Sequence, residues 1–188
     1  DLHDHGVGTL CSMIIGFPYQ DEARVRREFE DLLALDPSLV QILIYFAFPG
    51  TPFFEQVLRD ERFLPRYARD PDLRRWDGFA LHLKHPHFTP EALEALQKSL
   101  YAEDYRRLGP SVYRLSHTWL RASERLAASP NALLRKRAER MREQARAVMP
   151  TFTAARYLLP SAEARRRAEA LRRELIARTG APTLRERV

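Results

Sequence analysis

The sequence predicts an α/β fold in which one βαβ unit is followed by an all-helical C-terminal region. Residues 9–15 and 39–46 are short apolar runs rich in β-branched side chains, and an amphipathic helical pattern separates them. Apolar residues at helical spacing from residue 90 onwards predict the helical region. Strands joined through a helix lie parallel with a right-handed crossover, so the loops that follow the two strands should emerge at the same edge of the sheet.

The helix between the two strands has signals at both ends. Asp21 can cap its first turn, and Pro37 ends the pattern because the residue before a proline is pushed out of the α region. The apolar stripe that should be buried consists of Val25, Phe29, Leu32 and Leu33. This helix should therefore cover one face of the sheet.

Two further helices are marked by a threonine cap and a proline at the first helical position. Thr51 and Pro52 predict a short helix through Leu58, and Thr89 and Pro90 predict a longer one. The buried stripe of the longer helix should consist of Leu93, Leu96 and Leu100. The polar, proline-broken residues 60–77 predict a connection across the surface.

The remaining chain predicts a helical hairpin and a helical tail. Gly109 and Pro110 end one helix and begin another, whose apolar positions Val112, Leu115, Trp119 and Leu126 would face the first. Beyond Pro130 two apolar stripes should pack against the body or against each other. They are Leu134, Ala138, Met141, Ala145 and Val148 in the first stripe, and Ala164, Ala168, Leu171 and Leu175 in the second.

Charge and cysteine content limit the possible functions. The net charge of +6 is unevenly placed: residues 1–120 carry 14 Lys and Arg against 18 Asp and Glu, whereas residues 121–188 carry 17 against 7. A charge run on helices is usually a solvated face, so nucleic acid is not an expected partner. The sequence contains no run of eighteen apolar residues, so it predicts no transmembrane segment. The single Cys11 excludes an internal disulfide framework. A cytoplasmic location is the expectation.

The loops after the two strands form the candidate site. Residues 16–20 and 47–52 carry glycine and proline, and ligands in α/β folds bind outside the carboxyl ends of the strands. Ordinary turn chemistry explains the same residues without a ligand. On the second strand Ile42, Ile44 and Phe46 should face helices, which leaves Gln41 and Tyr45 on the opposite face. These two polar side chains would there contact a ligand or bond to neighbouring strands.

Both turns resemble those of a known enzyme family. Residues 16–21, GFPYQD, resemble the Gly-Leu-Pro-Gly-Glu-Thr turn late in the partial barrel of radical S-adenosylmethionine enzymes. Residues 48–52, FPGTP, resemble the Pro-Gly-Thr-Pro turn after the next strand of that barrel. The later segments RRWDGF, KHPHFTPEALEAL and YRRLGPSVYRLSHTWLR are similar to the region after the barrel in cobalamin-binding members. The resemblance covers residues 6–122.

This resemblance implies that the chain is a C-terminal fragment of such an enzyme. Residues 1–60 would be the last βαβ part of a partial TIM-type barrel, residues 61–128 the helical region of the family, and residues 129–188 a basic helical tail. The family cleaves S-adenosylmethionine to a radical, and cobalamin commonly delivers a methyl group to a small-molecule or lipid-like substrate. The implied cofactor-binding residues are Ser12, Ile14, Gly16, Phe17, Pro18, Gln41, Tyr45, Pro49 and Gly50.

The sequence departs from the family at two points. In the family, three cysteines of a CxxxCxxC loop hold the 4Fe-4S cluster, whereas this sequence has only Cys11. The cluster and cobalamin domains would therefore lie upstream. This fragment would hold none of the cofactors completely. Tyr19 stands where the family has a second turn glycine. His82, His85 and His87 favour substrate or loop contacts over a metal site. The alternative function is a non-catalytic helical adaptor whose basic tail binds nucleic acid or an anionic surface.

Overall fold

The computed structural model describes residues 2–68, 76–183 and 186, which form a mostly helical α/β structure. A 3-10 helix, His3–His5, precedes strand β1 (Leu10–Ile15), helix α1 (Glu22–Ala34), strand β2 (Leu39–Ile44), α2 (Pro52–Arg59) and α3 (Pro65–Ala68). The later helices are α4 (Pro90–Leu108), α5 (Ser111–Ala127), α6 (Ala132–Arg146), a 3-10 turn (Met149–Thr151), α7 (Phe152–Leu158) and α8 (Ala162–Thr179). None of the helices in these described residues is long and apolar enough to cross a membrane.

The two strands pair in parallel, as predicted. The Leu39 amide donates to the Thr9 carbonyl at 2.9 Å, and the Tyr45 amide donates to the Ile15 carbonyl at 2.7 Å, so both strands advance in the same direction. Within the described residues the sheet consists of β1 and β2. Its strands and the helix between them confirm the predicted βαβ unit.

The predicted helix caps are also confirmed. The Asp21 carboxylate accepts from the Arg24 amide at 2.7 Å at the start of α1. The Thr51 hydroxyl accepts from the Phe54 amide at 3.2 Å, and the Thr89 hydroxyl accepts from the Ala92 amide at 3.2 Å. Each hydroxyl or carboxylate satisfies one of the amides that have no partner within the helix.

The chain divides into two compact units, each formed from separate stretches of sequence. Unit A comprises Asp1–Cys11, Asp36–Val40 and Glu103–Val188, and unit B comprises Ser12–Leu35 and Gln41–Ala102. This division differs from the boundaries at residues 60 and 128 that the sequence suggested. It cuts both strands near their amino-terminal ends and places their carboxyl ends, with the candidate loops, in unit B.

The core of unit B lies on one face of the sheet. Ile15, Ile42 and Ile44 are fully buried. The predicted stripes are buried as well: Val25, Phe29, Leu32 and Leu33 of α1, and Leu93, Leu96 and Leu100 of α4. The Tyr101 hydroxyl accepts from the Ile42 amide at 2.8 Å and donates to the Ile42 carbonyl at 3.0 Å. The buried Gln97 amide donates to the same carbonyl at 2.7 Å. These side chains satisfy backbone groups of β2 inside the core.

The tail helices of unit A pack on α5, as the apolar stripes predicted. Ala122 and Leu126 of α5 are buried with Ala138 and Met141 of α6. A second cluster joins Tyr113 and Leu120 to the α8 stripe Ala164, Ala168, Leu171 and Leu175. The predicted register of α5 is wrong at its start: Val112 is 52% exposed, and its neighbour Tyr113 is buried because it stacks on Phe152 with ring centroids 5.0 Å apart.

Two arginines of unit A form ion pairs and hydrogen bonds with other segments of that unit. Arg114 forms a two-pronged ion pair with Asp104 at 2.9 and 3.0 Å and donates to the Pro37 carbonyl at 3.0 Å. Arg146 of α6 donates to Glu186 at 2.8 and 2.9 Å and to backbone carbonyls after α8. Planar guanidinium groups suit such bidentate contacts. Both contacts connect segments that are distant in sequence.

Candidate functional site

The first candidate loop is a tight turn at the carboxyl end of β1. Gly16 has a φ of +85°, a conformation that side-chain-bearing residues rarely adopt. A Cβ at this position would lie 2.7 Å from Cδ2 of the buried Leu93. The turn then closes through a bond from the Gln20 amide to the Phe17 carbonyl at 2.8 Å. Glycine is therefore needed at position 16 both for its φ and for the approach of α4.

Gln20 holds this loop in place from inside. Its side chain is buried, and its Oε1 accepts from the Phe17 amide at 2.9 Å. Its Nε2 donates to Glu28 of α1 at 2.6 Å and to the Ile14 carbonyl at 3.4 Å. Sequence reasoning did not assign this role, because a glutamine at a turn carries no signal of burial.

His85 fastens the same loop from a distant part of unit B. Its Nε2 lies 3.0 Å from the Phe17 carbonyl, and its Nδ1 accepts from the amides of His87 and Phe88 at 3.0 and 3.1 Å. This arrangement fits the neutral ring with its proton on Nε2. Burial is the main cause that lowers the pKa of His85, and the nearby His87 lowers it further. The loop contact predicted for these histidines is thus found at His85.

The second candidate loop follows β2 and begins α2. The Thr51 hydroxyl donates to the Phe48 carbonyl at 2.7 Å, and the Trp76 indole donates to the Ala47 carbonyl at 2.8 Å. Gly50 has a φ of +82°, and no atom lies within 4 Å of the position its Cβ would take. This loop is thus anchored at its start and open around Gly50.

Aromatic rings connect the two loops. Phe17 lies 4.5 Å from Tyr45 between ring centroids, and Tyr45 lies 5.5 Å from Phe53 at the start of α2. Tyr19 stacks on Phe17 at 5.5 Å and carries the Arg24 guanidinium 4.7 Å from its ring centroid. Tyr19, which stands where the radical S-adenosylmethionine enzymes have a glycine, is 57% exposed. It therefore lies along the outer edge of the first loop.

The exposed face of the sheet carries the remaining predicted site residues. The Ser12 hydroxyl donates to Gln41 Oε1 at 3.1 Å, and both side chains are exposed. Ile14 lies on the same face of β1 and is 45% exposed. Tyr45 is half-buried by the aromatic contacts. The structure therefore brings together Ser12 with Gln41 and Phe17 with Tyr45, whereas Pro18, Pro49 and Gly50 lie in the loops and have no side-chain group that could form a hydrogen bond.

The donor sets for a metal are sparse in the described part of the chain. No group of three or more histidine, cysteine, aspartate or glutamate side chains is arranged to hold an ion there. Cys11 is a free, half-buried cysteine. His82 is buried and stacks on Trp76 with ring centroids 4.1 Å apart, inside an aromatic cluster with Tyr67. Of the three histidines, His82 packs in the core and His85 orders the loop.

A cavity of about 270 Å³ lies in unit A, and none of the predicted site residues lines it. Small alanines of α8, Ala164 and Ala168, leave space beside Tyr113 and His117 of α5. On its rim His117 lies 3.6 Å from Glu174, and burial is the main cause that lowers the pKa of His117. The cavity thus has both signs of charge and selects no single class of ligand.

Comparison of the chain with family models, with curated proteins and with solved structures gave no match.

Proposed function

We propose that this chain is the C-terminal part of a cobalamin-binding radical S-adenosylmethionine enzyme. The observation that supports the proposal is the shared position of its two diagnostic turns. The loops at residues 16–20 and 47–52 follow parallel strands and meet through Phe17, Tyr45 and Phe53. The carboxyl edge of parallel strands is where α/β barrels bind their substrates. β1, α1 and β2 would be the last βαβ unit of the partial barrel.

The exposed sheet face fits the adenosyl part of S-adenosylmethionine. Ser12 and Gln41 offer a hydroxyl and an amide that can exchange hydrogen bonds with ribose hydroxyls. Ile14, beside Ser12 on the same face, offers apolar surface to a purine ring. When bound, S-adenosylmethionine would supply the radical, and these residues would only hold and orient it.

The residues of this chain do not fit a 4Fe-4S cluster. Such a cluster needs several thiolates, and Cys11 is the sole cysteine of the sequence. The proposal therefore requires that the cluster loop and the cobalamin-binding domain belong to an upstream part of the same protein. No catalytic residue is assigned to this chain, whose part would be to bind and position.

The reading frame upstream of Asp1 tests the proposal cheaply. The enzyme interpretation requires a CxxxCxxC motif there, whereas a non-catalytic helical adaptor does not. Anaerobic reconstitution of the 188-residue chain with iron and sulfide should leave it colourless, and the chain extended by its upstream part should gain the absorption of a four-iron cluster. An upstream frame without the motif, or a stoichiometric cluster on the isolated chain, would overturn the proposal.

A further inference from the structure

The basic charge of the tail has two different environments on two helices of unit A. On α8 the arginines are paired with glutamates one turn away. Arg167 contacts Glu163 at 3.1 Å, Arg172 and Arg173 contact Glu169 at 3.5 and 3.4 Å, and Arg166 also pairs with Glu163. Such pairs neutralise one another locally at i,i+3 and i,i+4 spacing. Each of these four arginines therefore has a carboxylate close to its guanidinium, although α8 as a whole stays positive with six arginines against three glutamates.

On α6 the cations of the outer face are not neutralised in this way. Lys136, Arg137 and Arg140 are exposed, and none of them forms a hydrogen bond or ion pair with a residue that the structure describes. Arg135 donates instead to the carbonyls of Ser129 and Pro130 at 2.9 and 2.8 Å. Lys136, Arg137 and Arg140 thus form a group of three cations on α6 that are unpaired within the described part of the chain.

These cations lie in a stripe with one large apolar side chain. Leu133, Lys136, Arg137 and Arg140 follow the spacing i, i+3, i+4 and i+7, which places them on one face of α6. The face buried against α5 is a different one and consists of Ala138, Met141 and Ala145. Leu133 is 76% exposed, more than any other large apolar residue among those described. Leu133 therefore adds one exposed apolar side chain to this cationic face.

We propose that this stripe of α6, Leu133, Lys136, Arg137 and Arg140, binds the surface of a bilayer that contains anionic phospholipids. The cations are complementary to the headgroup phosphates and carboxylates, and Leu133 enters the boundary between headgroups and acyl chains. Nucleic acid would use the cations but not the leucine, and the stripe has no aromatic ring on which bases could stack. A bilayer surface therefore accounts for all four residues.

Sedimentation of the full 188-residue chain with lipid vesicles tests this proposal. The vesicles are phosphatidylcholine alone or phosphatidylcholine with about one third phosphatidylserine, at low ionic strength because salt screens the attraction. The test variant is K136Q/R137Q/R140Q. The matched control is R166Q/R172Q/R173Q, which removes the same net charge from the paired arginines of α8. A third variant, Leu133→Ser, removes the apolar contact, and circular dichroism melts check that each variant is folded.

The chain should bind the anionic vesicles and not the neutral ones. Each lysine or arginine near an anionic surface contributes about 1 kcal/mol, so the α6 variant should bind roughly 100-fold more weakly. The α8 control should stay within about threefold of the wild type. Leu133→Ser should weaken vesicle binding several-fold while leaving any binding to a double-stranded DNA oligonucleotide unchanged.

Three results would overturn the proposal. The first is no binding to anionic vesicles by the folded chain. The second is an equal loss in the α6 variant and the α8 control, because net charge alone would then explain the binding. The third is tighter binding to the DNA oligonucleotide than to the vesicles with no effect of Leu133→Ser, which would identify nucleic acid as the partner.

Discussion

Alanine at Gly16 should destabilise unit B more than alanine at Gly50, although both glycines have nearly the same backbone conformation. Their φ values are +85° and +82°, so each substitution places a side chain in the left-handed region. The surroundings differ: a Cβ at Gly16 would lie 2.7 Å from Leu93 Cδ2, whereas nothing lies within 4 Å of a Cβ at Gly50. The comparison therefore separates the backbone cost from the packing cost.

The two costs can be estimated separately. The left-handed conformation costs an alanine about 1–2 kcal/mol at either position. Leu93 is fully buried in α4 and cannot move into solvent, so the overlap at Gly16 adds about 1–3 kcal/mol of overpacking. Gly50→Ala should therefore lower the free energy of unfolding by about 1–2 kcal/mol, and Gly16→Ala by about 2–5 kcal/mol.

Urea unfolding followed by tryptophan fluorescence measures this difference. A Trp119→Phe background leaves Trp76 as the single tryptophan, and Trp76 belongs to unit B. The double variant Gly16→Ala with Leu93→Ala removes the overlapping methyl group. Its destabilisation should be about 1–3 kcal/mol smaller than the sum of the two single effects, because residues in contact couple.

Equal destabilisation by the two glycine variants would refute this reasoning, since it would mean that α4 does not approach the turn. Additivity of Gly16→Ala and Leu93→Ala would do the same, because it would show that the two residues do not touch.

Three further substitutions test contacts within unit A or within unit B. Tyr101→Phe removes the only side-chain bond to a buried amide of β2 found in the described residues, and it should cost about 1–3 kcal/mol in urea unfolding. Burial holds the pKa of His85 below 6.5, so the stabilisation by the neutral ring is present above pH 6.5 and is lost as the pH falls below it. His85→Gln should therefore reduce the loss of thermal stability between pH 7.5 and 5, whereas His87→Gln should not. Hydrogen bonds from Arg146 and Thr183 lower the pKa of Glu186 to about 2. The stabilisation by Glu186 therefore disappears as the pH falls from 4.5 towards that value. Glu186→Gln should make the thermal stability depend less on pH in this acid range.

Local signals in the sequence were sufficient for the βαβ unit and its helix starts. Asp21, Thr51 and Thr89 act through a bond to an amide three residues on, so their effect can be read without knowing the rest of the chain. The stripes of α1, α4 and α8 were predicted for a similar reason, because apolar residues recur at spacings of three and four along each helix. These features depend on neighbours in sequence.

The contacts that could not be predicted join segments far apart in sequence. Val112 and Tyr113 are neighbours in the helix, and contacts of Tyr113 with the distant Phe152 and Thr151 accompany its burial. The bond from His85 to the first loop spans 68 residues. The division into two units depends on such contacts as well, since Arg114 joins the segment around Pro37 to α5.

The position of the candidate site at the sheet edge was predicted from the sequence. The buried hydrogen bonds that hold its first loop were not predicted. Glycine and proline after parallel strands indicated the sheet edge, and the resemblance supplied the individual positions. The buried Gln20 and its bond to Glu28 carry no comparable signal, because the sequence does not show which polar side chains of a turn point inward. The role of the loops in binding a cofactor stays a prediction.

The most direct test of the central claim is the yield of 5′-deoxyadenosine from the complete protein, this chain with its upstream part, under anaerobic reducing conditions with S-adenosylmethionine. The proposal predicts that 5′-deoxyadenosine forms, that Gln41→Ala lowers its yield about tenfold through a lost polar contact, and that the exposed Arg173→Gln leaves it unchanged. A complete, folded protein that forms no 5′-deoxyadenosine, or one whose yield is unaffected by Gln41→Ala, would contradict the placement of the site at this sheet edge.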